Sequence, residues 1–273
     1  MSDAGGAGMG VAMPIPRTTP EPAVAARRRR LRRSLLWAVA LSLAWLLIAA
    51  PPPIWYLVAM PRETAFMAMQ ERWRGTAAER IPEKRRYQPV PLARVAPVMR
   101  RAVLIAEDNR FYEHAGFDWV EVRRAIGYPR DSLHWGNARH RRDLWRAFGR
   151  AISGAGEVRG ASTLTQQLAK NLYLSPSRNP LRKLKEAVLA KQLEWFLPKD
   201  RILELYLNVV EFGPGIWGVE AASQSYFRKP AARLSRTEAA ALAGLLPFPR
   251  LSNPAYRPAR MRARQAMILE RLR

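Results

Sequence analysis

Residues 34–60 carry no charged side chain, and the run is preceded by Arg27, Arg28, Arg29, Arg30, Arg32 and Arg33. An apolar stretch of this kind is long enough to cross a hydrocarbon core of roughly 30 Å, so the pattern predicts one transmembrane helix. The arginines place its leading end in the cytoplasm. A cleaved signal peptide would have a shorter apolar core and a small-residue cleavage site, which Ala49-Ala50 before three prolines fits poorly. Pro51, Pro52 and Pro53 remove backbone donors, so the helix is expected to end or kink there, with Trp55 and Tyr56 as anchors in the outer interface. Residues 1–26 are rich in Gly, Ala and Pro without apolar periodicity and read as a disordered tail. The chain therefore divides into a cytoplasmic basic tail (1–33), an anchor (34–60) and an outer domain (61–273).

Beyond the anchor the spacing is helical. Val95, Val98, Met99, Ala102, Val103 and Ile105 recur at three and four residues, predicting a buried helix that delivers Glu107 to its end. A short helix is expected over 119–126. Residues 127–158, rich in Arg, His, Gly and Trp, read as a mobile loop with amphipathic content around 144–152. Thr163 followed by Gln166 has the form of a capping box, and Leu164, Leu168 and Leu172 continue the helix it opens. Gln167 and Lys170 share another face of that helix. Pro180 starts the next helix, to Phe196, with the stripe Leu181, Leu184, Val188, Gln192 and Trp195. Arg182 and Lys183 lie four and three residues before Glu186, so the three meet on one face. Helices over 199–207, 219–226, 236–246 and 258–272 complete a mainly α domain with little strand.

Charge changes this picture more than composition does. Lys and Arg total 46 against 22 Asp and Glu, a formal charge of +24. On a tethered domain such a field meets lipid headgroups and lipid-linked diphosphates; no nucleic-acid motif accompanies it. The chain has no cysteine, which excludes disulfides and thiolate metal sites, and His114, His134 and His140 lack zinc-motif spacing. Around Glu107 stand Asp108, Arg110, Glu113, His114 and Asp118 with Phe111, Tyr112, Phe117 and the turn-permitting Gly116. Crowding of this kind moves a carboxylate pKa toward a working pH.

Five blocks in order carry a resemblance. They are Glu107-Asp108 with Arg110-Phe111, His114, Gly116 and Asp118; Gly160-Ala161-Ser162-Thr163-Leu164-Thr165-Gln166-Gln167 with Lys170-Asn171; and Arg182-Lys183 with Glu186. Then come Ile202-Leu203-Glu204-Leu205-Tyr206-Leu207-Asn208 through Glu211-Phe212-Gly213, and, more weakly, Ala240 to Pro247 with Pro249 and Asn253-Pro254. Together they resemble the monofunctional peptidoglycan glycosyltransferases that polymerise lipid II. The segment 127–158 is longer than that family leads one to expect between its first two blocks. No Ser-x-x-Lys or Lys-Thr-Gly of a penicillin-binding transpeptidase domain follows.

The resemblance implies a lysozyme-like, two-lobed helical domain behind one transmembrane helix, facing the periplasm from the bacterial inner membrane. It implies a reaction in which the 4-hydroxyl of one lipid-linked disaccharide attacks the anomeric carbon of another and releases polyprenyl diphosphate, with inversion to a β-1,4 glycan. Glu107 matches the general base. Lys170, Arg178, Arg182 and Arg110 match cationic positions for the diphosphate, and Glu186 would hold those cations or a divalent metal (Mg or Mn). Phe111, Ser162, Gln166 and Gln167 match substrate-binding positions. No organic cofactor is implied. The expected partners are lipid II, the growing lipid-linked glycan, the inner membrane, and cell-wall synthesis or division proteins; nucleic acid is not among them. Because paired carboxylates also hydrolyse glycans, a lysozyme-like hydrolase is the nearest alternative, followed by a non-catalytic membrane scaffold.

Overall fold

The computed structural model describes residues 22–48, 51–73, 85–132, 134–152, 162–175 and 180–273. By its internal contacts the chain separates into two units, 1–45 and 46–273. Helix α1 (Pro22–Leu47) takes up the described part of the first. Its leading half holds the arginine cluster and its trailing half the apolar residues from Ser34, with Leu35, Leu36 and Trp37 well exposed. The tail expected over 1–26 thus already contributes residues 22–26 to a helix; its remainder lies outside the described residues.

The helix expected to end or kink at Pro51 to Pro53 ends slightly earlier. Helix α1 stops at Leu47, and among the described residues no helix is long and apolar enough to cross a membrane. The chain instead enters a 3-10 turn at Pro53–Leu57 that belongs to the second unit. Tyr56 is no interface anchor: it is 4% exposed, meets Tyr173 edge-on at 6.0 Å, and its carbonyl accepts from Arg201 Nε at 2.7 Å. For Tyr56, a proline-fixed turn that directs the ring into a protein core outweighs the hydropathy of the surrounding residues.

The second unit is mainly helical: α2 (Ala65–Trp73), α3 (Pro97–Glu107), α4 (Trp119–Ile126), α5 (Ala138–Ile152), α6 (Leu164–Tyr173), α7 (Pro180–Phe196), α8 (Lys199–Val209), α9 (Val219–Phe227), α10 (Arg236–Leu245) and α11 (Ala259–Arg271). Strand content is confined, among the described residues, to β1 (Arg86–Tyr87), β2 (Glu211–Gly213) and β3 (Ile216–Trp217), ordered β1-β3-β2. β1 runs parallel to β3, pairing Arg86 with Ile216, and β2 runs antiparallel to it. The core joins Met99, Ala102 and Val103 of α3, Leu164 and Leu168 of α6, Leu189 and Leu193 of α7, Ile202 to Leu207 of α8 and the alanine-rich α10. Small side chains let α10 lie against both α3 and α11. Buried Asn208 fastens the segment before α3: its side chain accepts from Val90 N at 2.8 Å and donates to Val90 O at 2.9 Å.

Two expected faces are corrected. The segment 127–158 is not a loop throughout, because 138–152 forms α5; Arg130 Nε and Nη2 bind Asp143 Oδ2 at 2.9 and 2.8 Å across the turn before it. Its amphipathic register, with Ala147 buried and Trp145 68% exposed, needed only a neighbour in α4 to become a helix. On α7 the stripe Leu181, Leu184 and Trp195 faces outward, and Glu186, Leu189, Ala190 and Leu193 face in. Both sets have helical spacing; packing against α6 selects the one that carries the carboxylate.

Gly218 sits at φ +82°, where an added Cβ would come within 2.5 Å of the Asn208 carbonyl oxygen. Gly218→Ala combines left-handed strain with a backbone clash and is expected to cost roughly 2–4 kcal/mol. A thermal melt of the full chain in detergent measures this, and an unchanged midpoint would contradict it.

Candidate active site

Helix α3 starts at Pro97 and ends at Glu107, with Asp108 as its C-cap. Two oxygens of Glu107 have separate partners. Oε2 accepts from Gln167 Nε2 at 2.9 Å, and Oε1 lies 3.3 Å from Arg264 Nη2. Gln167 is itself oriented by the fully buried Tyr206, whose hydroxyl donates to Gln167 Oε1 at 3.0 Å. The Glu107 side chain is 11% exposed. Burial raises its pKa; the Gln167 hydrogen bond and the charges of Arg264 and Lys170 oppose that rise without cancelling it.

The rest of the first block builds the support. Asp108 accepts the Leu164 N–H at 2.9 Å and pairs with His114 Nε2 at 2.9 Å, so it joins the end of α3 to the start of α6. Thr163 caps α6 reciprocally with Gln166, and its hydroxyl donates to the Gly116 carbonyl at 2.7 Å. Gly116 adopts φ +89° there. Asp118 caps α4 through the N–H groups of Val120 and Glu121.

A second cluster lies across α6 and α7. Glu186 is 2% exposed, with Oε2 held by Arg182 Nη1 at 2.9 Å and Oε1 by Lys183 Nζ. Lys183 also donates to Ser162 Oγ at 3.2 Å. Lys170 interacts electrostatically with Glu186 and Glu107 alike, and burial lowers its pKa against the pull of Glu186. Lys170 and Gln167 also line a cavity of about 470 Å³ with Phe66, Gln70, Glu211 and Arg250. In its wall Glu211 accepts from Gln70 at 3.3 Å and from Arg250 at 3.0 Å. Another cavity, about 630 Å³ and bordered by Arg85, Arg86, Gln88 and Gln224, shares no residue with either cluster.

Of the residues expected at the site, Glu107, Gln167, Lys170, Arg182, Glu186 and Ser162 fall into these two linked clusters. Phe111 does not: it is 1% exposed in the core, edge-on to Tyr112 and His114 with Lys199 Nζ 4.3 Å from its ring centre. A side chain so enclosed supports the loop instead of meeting a substrate. Gln166, 4% exposed, spends its side chain on the capping box. Arg110 binds Glu113 at 2.8 Å and Asp118 at 3.4 Å. Arg178 lies outside the described residues. No group of three or more His, Asp or Glu suited to a metal occurs among the described residues, and both Glu186 oxygens already face cations. This donor set does not fit a divalent ion. Sequence spacing missed Tyr206 and Arg264, whose side chains reach Gln167 and Glu107 from far along the chain.

A buried carboxylate beside an enclosed ammonium and an acid–cation cluster suits an enzyme that moves a glycosyl group off an anionic carrier. Comparison with known proteins agrees with that class. A family model described as Transglycosylase matches residues 74–134 and 133–273. A protein of Bordetella pertussis is 40% identical over 221 residues, covering 81% of this chain and 83% of its own. One from Azoarcus sp. is 40% identical over 231 residues (84% and 89%), and one from Thiobacillus denitrificans is 38% identical over 246 residues (89% and 94%). All three carry the name biosynthetic peptidoglycan transglycosylase. The chain belongs to the transglycosylase family.

Proposed function

We propose that this protein is a peptidoglycan glycosyltransferase that polymerises lipid II into β-1,4 glycan strands. The observation that carries the reading is the hydrogen bond from Gln167 of α6 to Glu107, with Lys170 of the same helix interacting electrostatically with both Glu107 and Glu186. The acceptor 4-hydroxyl attacks the anomeric carbon from the face opposite the diphosphate. As the new C–O bond forms, its proton passes to Glu107, the bond to the diphosphate oxygen breaks, and configuration inverts. Lys170 and Arg182 stabilise the charge that collects on the leaving diphosphate, joined by Arg178. Glu186 keeps Arg182 and Lys183 in place, while Ser162 and Gln167 offer hydrogen bonds to sugar or phosphate. No step needs a metal ion held by side chains; Mg or Mn would act as a companion of the diphosphate.

A hydrolase would need its second carboxylate available to water. Glu186 is instead committed to two cations, which favours synthesis over cleavage.

The domain is read as lysozyme-like and two-lobed. The anchor is placed in the uncharged stretch that begins at Ser34, with Arg27 to Arg33 cytoplasmic and the unit from the Pro53 turn onward periplasmic. Incubating the detergent-solubilised chain with labelled lipid II tests the activity: polymer on a gel supports it, whereas release of fragments from preformed glycan and no polymer would favour the hydrolase. Arg139, Arg141, Arg142 and Arg146 on the exposed side of α5 are proposed to hold the enzyme to anionic, membrane-presented substrate. Their combined Ala replacement is expected to lower activity on vesicle-borne lipid II by up to about 10²- to 10³-fold, at about 1 kcal/mol for each of the four basic residues near the surface. Equal activity of both proteins on vesicles would contradict this.

A further inference from the structure

We propose that Arg264, on the last helix of the fold, is the positioning residue of the reaction: its guanidinium fixes the Glu107 carboxylate opposite Gln167. The inference rests on Glu107 as the base.

Three helices converge on one side chain. Gln167 reaches Glu107 Oε2 from α6, with Tyr206 of α8 behind it, and Arg264 reaches Oε1 from α11. Each oxygen thus has its own tether, and the carboxylate cannot rotate without losing one. Arg264 Nη2 also donates to the Ala106 carbonyl at 3.1 Å. That oxygen belongs to the last turn of α3, where no N–H of the helix remains to satisfy it and a cation is favoured by the helix dipole. One guanidinium nitrogen therefore registers both the helix end and the acid it carries.

The backbone is arranged for this reach. At Gly244 of α10 an added Cβ would stand 3.0 Å from the Met261 carbonyl, 3.1 Å from Gln265 N and 3.4 Å from Arg264 Cβ. The absence of a side chain lets α11 come close, and Met261, Ile268 and Leu272 bury its inner face. A purely stabilising arginine would be expected to satisfy its donors. Among the described residues, buried Arg264 Nε has no partner, a cost that the fold bears for the placement of Nη2.

The electrostatic consequence is readable. Glu107 faces Asp108 beside it, Lys170 from α6, Tyr206 from α8 and Arg264 from α11. Burial and Asp108 favour its protonated form; Lys170 and Arg264 favour the carboxylate. Removing the Arg264 charge leaves Lys170 alone among the cations opposing protonation, so a base at this position would require a higher pH.

The test compares the full chain in detergent with Arg264→Gln, which keeps a donor for Ala106 but removes the charge, and with Arg264→Lys, which keeps the charge. Initial rates on labelled lipid II are measured across the pH range. A ¹³C carboxylate titration of Glu107, assigned by its loss in Glu107→Gln, runs in parallel. Arg264→Gln is expected to slow polymerisation about 10- to 100-fold at neutral pH, with the acid limb and the titration midpoint both moved to higher pH. Arg264→Lys restores most of both. An unmoved midpoint in a folded Arg264→Gln protein overturns the clamp and leaves the base intact. A raised midpoint with an unmoved acid limb overturns it differently, by showing that Glu107 is not the base. If Arg264→Gln fails to fold, Arg264→Lys decides: a parent-like midpoint supports the clamp, and a raised one opposes it.

Discussion

Glu107→Gln is expected to lower lipid II polymerisation about 10²- to 10⁴-fold, the range that a positioned general base contributes. The amide keeps the size of the side chain and can still meet Gln167, but it accepts no proton from the attacking hydroxyl. Folding should not suffer. The folded-state pKa of Glu107 is raised by burial, so ionising it weakens the fold. That group contributes most below its unfolded-state pKa, and the contribution is lost as pH rises through the folded value. Gln stays neutral throughout. The variant should therefore melt at or above the parent temperature at neutral pH, with the gap closing under acid conditions. Polymer yield on a gel and paired melts check both parts. Equal polymer from both proteins would remove Glu107 from the mechanism, and a variant melting far below the parent would show that lost packing explains the lost rate.

Lys170→Ala is expected to lower the rate by about 10²- to 10³-fold, as for removal of one preorganised donor from developing charge. Lys170 is largely enclosed, and its pKa is lowered by burial while Glu186 works against that shift. The parent should consequently lose activity on the alkaline side before an ordinary lysine would titrate, and that limb should move upward or vanish in the variant. The measurement is the pH–rate profile of both proteins with saturating lipid II. An alkaline limb unchanged by the substitution would assign the proton to another group and weaken the diphosphate role.

Most of the helices announce themselves where their ends are chemically marked. Thr163 with Gln166 opens α6, Asp118 opens α4 and Pro180 opens α7, and each lies where its capping chemistry places it. Orientation is harder to read than extent. On α7 two apolar faces compete, and only contact with α6 decides that Glu186 turns inward while Leu184 and Trp195 turn out. The two- and three-residue strands are too short for any period to show. Tyr56 misleads because hydropathy does not separate a bilayer from a protein core. The pairing of Arg264 with Glu107 joins positions 157 residues apart and leaves no local trace. Both carboxylates are legible from spacing, as are Gln167, Lys170, Arg182 and Lys183; Tyr206 and Arg264, which reach the site from distant helices, are not.

The bonds from Asp108 to Leu164 and from Thr163 to Gly116 pin together two points between which the chain makes a long excursion through α4 and α5. The excursion leaves and returns at the same stitched seam. Its length is consequently uncoupled from the chemistry: closing a longer excursion costs only about 0.6 kcal/mol for each doubling. Residues can be gained or lost there, while the distance from Glu107 to Gln167 stays set by the seam.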